Sequence, residues 1–355
     1  MTFTQAPKGV ASENLAGYAR HLLDAAFKTE TTRLERRRFR LPRLGLDVWF
    51  ASAALRRLCE GALVEAPHSQ AVAEAEIYAL HAMQGQWPSP LYWRDTADMS
   101  PRHLDRALSE DGLRGSYHDL PSWQIYDPAT RRGVQSLASP LAFPPWESTS
   151  PLRLFLHWAY AAAGLRLTHA ATLGRNGAGV LLAGAGGSGK SGTTLAGILH
   201  GLDSAGDDYV VVEPGPTVIA HAIFRNFKQD PGGLERAGLA RMGRERPLNW
   251  QGKIEFNPAD LGRPLSAQMD IRAILLPHVA RAGRTTLTPA SAQQAALALA
   301  PSAVLQFSGD SQQGFRFFAD LARRLPAFHL NLSEDPVEIT SVLSAFFDRG
   351  FAHAG

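Results

Sequence analysis

Gly184-Ala185-Gly186-Gly187-Ser188-Gly189-Lys190-Ser191 fits G-x-x-x-x-G-K-[ST], and its flanks are what that pattern needs. Gly179-Val180-Leu181-Leu182-Ala183, just before it, is a short apolar run that predicts a buried strand. The residues after it, from Gly192 and Thr193 to Leu199, predict a helix closed by Gly201. Strand, glycine-rich turn and helix start, in that order, aim successive backbone N–H groups at one spot, where the helix terminus adds partial positive charge. Gly184, Gly186, Gly187, Ser188, Gly189, Lys190, Ser191, Gly192 and Thr193 are therefore the candidate binders of a di- or triphosphate. In such a site Lys190 reaches the β- and γ-phosphates and the Ser191 hydroxyl binds magnesium. Lysine is scarce, at positions 8, 28, 190, 228 and 253 among 36 Lys+Arg, so a lysine in the loop is informative.

The rest of the 355-residue chain is long enough for two domains at ~150 residues each. Its 45% hydrophobic and 19% charged residues indicate globular structure rather than disorder. A net charge of +3 and a pI near 9.1 suit an anionic ligand and are too weak to argue for nucleic acid. The single cysteine, Cys59, excludes an intrachain disulfide and a multi-cysteine metal site. Residues 1–10 carry no export signature, and the apolar stretch 152–165 is too short to span a bilayer. The expectation is a soluble, cytoplasmic protein without membrane partners, its oligomeric state open to homo-oligomers.

Taken in order, residues 14–27 predict an amphipathic helix and the basic run 33–40 a solvated strand edge. Leu44, Leu46, Val48 and Phe50 alternate as in a strand, and helices fit 52–63 and 69–83. The aromatic segment 86–93 suggests packing under a loop. Ser100-Pro101 opens a helix to 109, and 123–126 with 133–137 form a hairpin. The Pro/Ser/Thr-rich stretch 142–150 is the expected boundary between an α+β N-terminal domain, 1–145, and a nucleotide-binding domain, 150–355. Beyond it, strands at 209–212, 217–223, 271–276 and 327–332 interleave with helices starting at Thr288-Pro289 and covering 314–325 and 336–349. That alternation predicts an α/β core with helices packed on a sheet.

A phosphate loop does not specify a reaction. Gly206-Asp207-Asp208 precedes a strand-like run, and adjacent carboxylates there are costly unless something cationic lies between them. Magnesium can use one or two carboxylates with substrate phosphates, and one acid of the pair could instead take the proton of an attacking hydroxyl. Glu213, closing a Val-Val-Val run, competes for the magnesium-linked role. Arg225, Lys228, Lys253, Arg281 and Arg284 are further cations that could meet a phosphoryl group or a carboxylate.

Asp207 lies 207 − 190 = 17 residues after Lys190, and His169 lies 190 − 169 = 21 before it. In this order and spacing, His169, the glycine loop and Asp207-Asp208 resemble the HPr kinase/phosphorylase family. The resemblance implies a phosphoenolpyruvate-carboxykinase-like P-loop kinase domain, using ATP and Mg2+ to phosphorylate serine in a peptide or small protein. By position, Asp207 matches the base, Asp208 and Ser191 the magnesium ligands, Lys190 the phosphate-binding lysine and His169 the histidine beside the phosphate site. Gly192 stands where the family usually has glutamate, Ala170 where it has glycine, and no counterpart of its dephosphorylation signature is found. Stretches such as Leu44-Gly45-Leu46, Pro151-Leu152-Arg153, Leu167-Thr168-His169 and Gly206-Asp207-Asp208-Tyr209 are similar to the HPr-kinase-like group encoded with lasso-peptide genes. That similarity implies phosphorylation, single or repeated, of a lasso peptide's C-terminal serine. Nucleotidyl transfer to the same hydroxyl, and a nucleotide-binding regulator without chemistry, remain the alternatives.

Overall fold

The computed structural model describes residues 9–11, 14–82, 87, 89–93, 101–118, 122–280, 283–304, 306, 307, 309 and 311–352. Their contacts sort into two units. Met1–Gly61, Pro67–Ala163 and Phe307–Asp310 form one; Ala62–Ala66, Gly164–Gln306 and Ser311–Gly355 form the other. The division thus falls at Ala163/Gly164 and not within 142–150. The helix that follows the prolines packs with the residues before them: Phe155 lies against Gly133, and Trp158 stacks on Tyr126 with ring centroids 5.9 Å apart.

The first unit contains β1 (Gly9–Val10), α1 (Leu15–Lys28), β2 (Glu35–Leu41), β3 (Leu44–Phe50), α2 (Ala53–Ala62), β4 (Ala73–His81) and β5 (Tyr92–Trp93). It continues with α3 (Pro101–Ser109), β6 (Arg114–His118), β7 (Ser122–Asp127), β8 (Arg132–Leu137) and α4 (Arg153–Ala162). Six strands form one sheet in the order β2-β3-β4-β8-β7-β6. The basic run is its edge strand, with Arg36 and Arg38 paired to Asp47 on β3. Residues 69–83, read as a helix, contain the central strand β4 instead. Ala73, Ala75, Ile77 and Ala79 alternate into the core, and parallel ladders to β3 and β8 override the helix propensity of Ala and Glu. Cys59 is buried on α2, where burial and the nearby Glu147 and Glu60 raise its thiol pKa well above the ordinary value. Trp87 and Trp93 are buried, as packing under a loop requires; Gln86, Pro88 and Ser100 lie outside the described residues.

The second unit holds β9 (Arg166–Thr168), β10 (Ala171–Arg175), β11 (Ala178–Leu182), α5 (Lys190–Leu199), β12 (Val210–Glu213), β13 (Val218–Ala222), β14 (Phe227–Gln229), α6 (Pro231–Arg236) and α7 (Ala240–Glu245). After these come β15 (Ile254–Phe256), β16 (Gln268–Val279), β17 (Thr286–Ala290), α8 (Ala292–Leu299), α9 (Pro301–Val304), α10 (Ser311–Arg324), β18 (Ala327–Leu332) and α11 (Pro336–Asp348). The long strand β16 organises the sheet. β11 runs parallel to one side of it, while β13 and then β18 share the other. Alternate side chains face two helical layers: Leu181 and Ile274 meet α8 and α10, whereas Leu182 and Leu275 meet α5 and α11. The architecture is mixed α/β. Thr288-Pro289, expected to start a helix, sits in β17, and α8 begins at the capping box of Ser291 and Gln294. No described helix is long and apolar enough to cross a membrane.

Candidate functional site

The stretch 184–189 leaves β11 and enters α5, and Ala183 N–H donates to Leu275 O at 2.9 Å, anchoring its start to β16. Gly184, Gly187 and Gly189 have positive φ of 155°, 82° and 105°. At Gly189 the positive φ favours glycine, and a Cβ would meet Leu332 Cδ1, so that any side chain would also have to displace the end of Leu332. Lys190 folds back over the loop, its Nζ donating to Gly184 O at 2.7 Å and Ala185 O at 3.2 Å. Burial lowers the Lys190 pKa, opposed by the charges of Asp208 and Asp207. Ser188 Oγ and Thr193 Oγ1 are buried without a hydrogen-bond partner.

A corner in the sheet brings the acids to this loop. β9 passes into β10 through only His169 and Ala170, and β10 starts opposite the end of β11, Ala171 facing Leu182. The segment 203–212 follows that corner: Thr172 N–H donates to Gly206 O at 2.9 Å, and Val210 already pairs with Thr168 on β9. Asp207 and Asp208 lie between those two contacts, at the loop.

Their surroundings differ. Asp207 is 3% exposed, lies beside the Ser191 hydroxyl and the Lys228 backbone N–H, both of which favour its charged form, and leaves Oδ1 buried without a partner. Burial first, and the Asp208 charge second, push its pKa up to about 6. Burial acts on Asp208 as well, but Lys228 Nζ at 2.6 Å and His169 Nε2 at 3.2 Å outweigh it and hold this carboxyl well below the usual range. Gln306 Nε2 donates to His169 Nδ1 at 2.9 Å, and Tyr209 donates its hydroxyl to Gln306 Oε1 at 3.1 Å. With Nδ1 accepting, the neutral His169 carries its proton on Nε2, toward Asp208. The His169 N–H is held by Ser302 Oγ at 2.9 Å.

The structure therefore gathers Lys190, Ser191, Asp207, Asp208 and His169. Ser191 lies beside Asp207, whereas the resemblance groups Ser191 with Asp208. Lys228, one of several downstream cations in the sequence reading, belongs to the cluster, and Lys253 lies near enough to Lys190 to oppose its charge. Gln306 and Ser302 carry no motif and were not foreseen. Glu213 stands at the far end of β12, bound to His221 Nε2 at 2.8 Å. Arg225 donates to Leu63 O in another part of the unit, Arg284 lies beside Glu338, and Arg281 is outside the described residues.

A cavity of about 170 Å³ opens beside the first turn of α5. No group of three His, Cys, Asp or Glu side chains suited to hold a metal occurs among the described residues. A cation here would need oxygen from a ligand besides Ser191 and the acids, which is how magnesium binds with phosphates. Compared with models of known protein families and with curated proteins, the chain matches none.

Proposed function

We propose that this chain is an ATP-dependent serine kinase of the HPr-kinase-like type, with a P-loop domain similar to phosphoenolpyruvate carboxykinase. It transfers the γ-phosphoryl group to a serine hydroxyl of a peptide or small protein. The sequence resemblance favours the C-terminal serine of a lasso peptide as acceptor. One observation carries the reading. Asp207 is a buried acid of pKa about 6 with an unpartnered oxygen, in contact with Ser191 of a glycine loop that also presents Lys190. A general base works best with its pKa near the working pH, and burial in this corner supplies that.

The chain's own groups divide the work. Loop N–H groups, the α5 terminus and Lys190 bind the polyphosphate. Asp207 Oδ1 accepts the serine proton as the hydroxyl oxygen bonds phosphorus and the β–γ bridging oxygen departs with the electron pair. Lys228 and His169 keep Asp208 ionised. Ser191 and Asp208, the positions that the resemblance matches to magnesium ligands, would hold magnesium, which would neutralise phosphate charge. The test is incubation with γ-labelled ATP and serine-ending peptides, followed by mass mapping. Gain of one phosphoryl group on serine is expected. Gain of a nucleotide supports nucleotidyl transfer, and nucleotide binding without any modified peptide supports a regulator.

A further inference from the structure

Three of the chain's five lysines meet at the loop and its acids, in a protein whose default cation is arginine. Lys190 belongs to the loop, and Lys228 is held by Asp208 at 2.6 Å. The third, Lys253, is placed by the ribbon of β14 and β15. Lys228 stands opposite Glu255 in that antiparallel pair, so the two share a face, and Lys253, two residues before Glu255, continues it. Phe227, Ile254 and Phe256 take the other face, into the core. The end of the ribbon is pinned. Asn249 N–H donates to Lys253 O at 2.7 Å, Lys253 N–H to Asn249 Oδ1 at 3.0 Å, and Asn249 Nδ2 to Glu255 Oε1 at 2.8 Å. Lys253 is thereby half-buried on the side of Lys228, near enough to Lys190 to oppose its charge. Unlike Lys228, it has no carboxylate partner among the described residues.

Resting on the reading of a serine-ending acceptor, we infer that Lys253 binds the acceptor's terminal carboxylate. In a C-terminal serine only Cβ and Cα separate the hydroxyl oxygen from the carboxylate carbon. A hydroxyl delivered to Asp207 therefore brings a second anion beside the triphosphate. Like charges that close repel unless a cation offsets them. In that reading Lys190 serves the phosphates and Lys228 is committed to Asp208, which leaves Lys253 for the carboxylate. On the same hairpin Leu248 and Trp250 are 57% and 55% exposed. Apolar surface of that kind suits the side chains of a peptide and does nothing for a polyphosphate. The site then selects a free chain end over an internal serine, whose following peptide bond carries no charge.

The experiment gives the full-length protein serine-ending peptides, each prepared as the free acid and as the C-terminal amide. At saturating Mg·ATP, wild type should show kcat/KM at least tenfold higher for the acid, carried by KM. Lys253→Met should lower kcat/KM for the acid at least tenfold and bring acid and amide within twofold of each other. Lys253→Arg, which keeps the charge, should retain a preference for the acid. Should Lys253→Met fail to fold, Lys253→Gln provides the same readout. Equal kcat/KM for acid and amide in wild type, or a preference that survives in a folded neutral variant, overturns the carboxylate assignment and leaves the kinase reading intact. A surviving preference with Mg·ATP affinity lowered, read by calorimetric titration, overturns it in favour of a phosphate role for Lys253. Transfer to no peptide in either form overturns both.

Discussion

Asp207 and Asp208 are neighbours in sequence held in opposite protonation tendencies, one by burial and one by two nitrogen partners. The folded pKa of Asp207, about 6, lies above its ordinary 3.8, so the folded chain retains a proton that the unfolded chain releases between those values. Its stability contribution is therefore full below pH 3.8 and is lost as the pH rises through about 6. Asp207→Asn should leave stability unchanged near pH 4 and raise it at pH 8 by on the order of 1–3 kcal/mol, read from denaturant midpoints. The same variant should lose transfer by about 10²–10⁴-fold with ATP affinity preserved, as removal of a general base predicts. The wild-type rate should fall as the pH drops below about 6, where Asp207 takes up a proton. An Asp207→Asn enzyme of normal rate removes the base assignment. Lys190→Ala acts elsewhere: it should weaken triphosphate binding and transfer together, and unimpaired turnover would reject a phosphate role for the loop.

Elements were legible where the cause of their shape is local. The glycine loop, the Leu44 to Phe50 alternation and the hairpin of β7 and β8 each carry their reason within a few residues. The Asn176-Gly177 turn joining β10 to β11, with φ of 54° and 81°, is an equally local two-residue hairpin signal. β4 was not readable as a strand, because what makes it one is pairing with β3 and with β8, more than fifty residues further on. Pro289 reads as a helix starter in isolation, yet an edge strand such as β17 tolerates proline. Gln306 lies 137 residues from the histidine it orients, so no spacing rule reaches it. The true start of α8 has its own signature. Ser291 Oγ accepts from Gln294 N–H at 3.2 Å while Gln294 Oε1 accepts from Ser291 N–H at 2.9 Å. Ser291→Ala should cost about 1 kcal/mol in urea unfolding, as loss of an N-cap does, and no change in midpoint would deny the box any energetic role.

At the scale of the whole molecule, the break at Ala163/Gly164 does not cut the chain into two self-sufficient pieces. Ala62–Ala66 belongs to the second unit although it precedes most of the first in sequence. Val64 N–H donates to Ile223 O at 2.9 Å, Arg225 N–H donates to Ala62 O at 2.9 Å, and Leu63 is buried opposite Phe224. A fragment comprising 164–355 therefore lacks a piece of its own packing. Loss of one buried leucine at about 1.5–3 kcal/mol and two backbone hydrogen bonds at about 0.5–1.5 kcal/mol each sums to roughly 2.5–6 kcal/mol. That is a large share of a typical domain's stability of about 5–15 kcal/mol. Fragment 164–355 should thus unfold at markedly lower denaturant than the same fragment carrying residues 62–66 on a flexible N-terminal linker. Only the second should bind ATP at the full-length level at 37 °C. Equal denaturation midpoints for the two fragments would show that 62–66 contributes no stability and that residues beyond Gly164 fold without it.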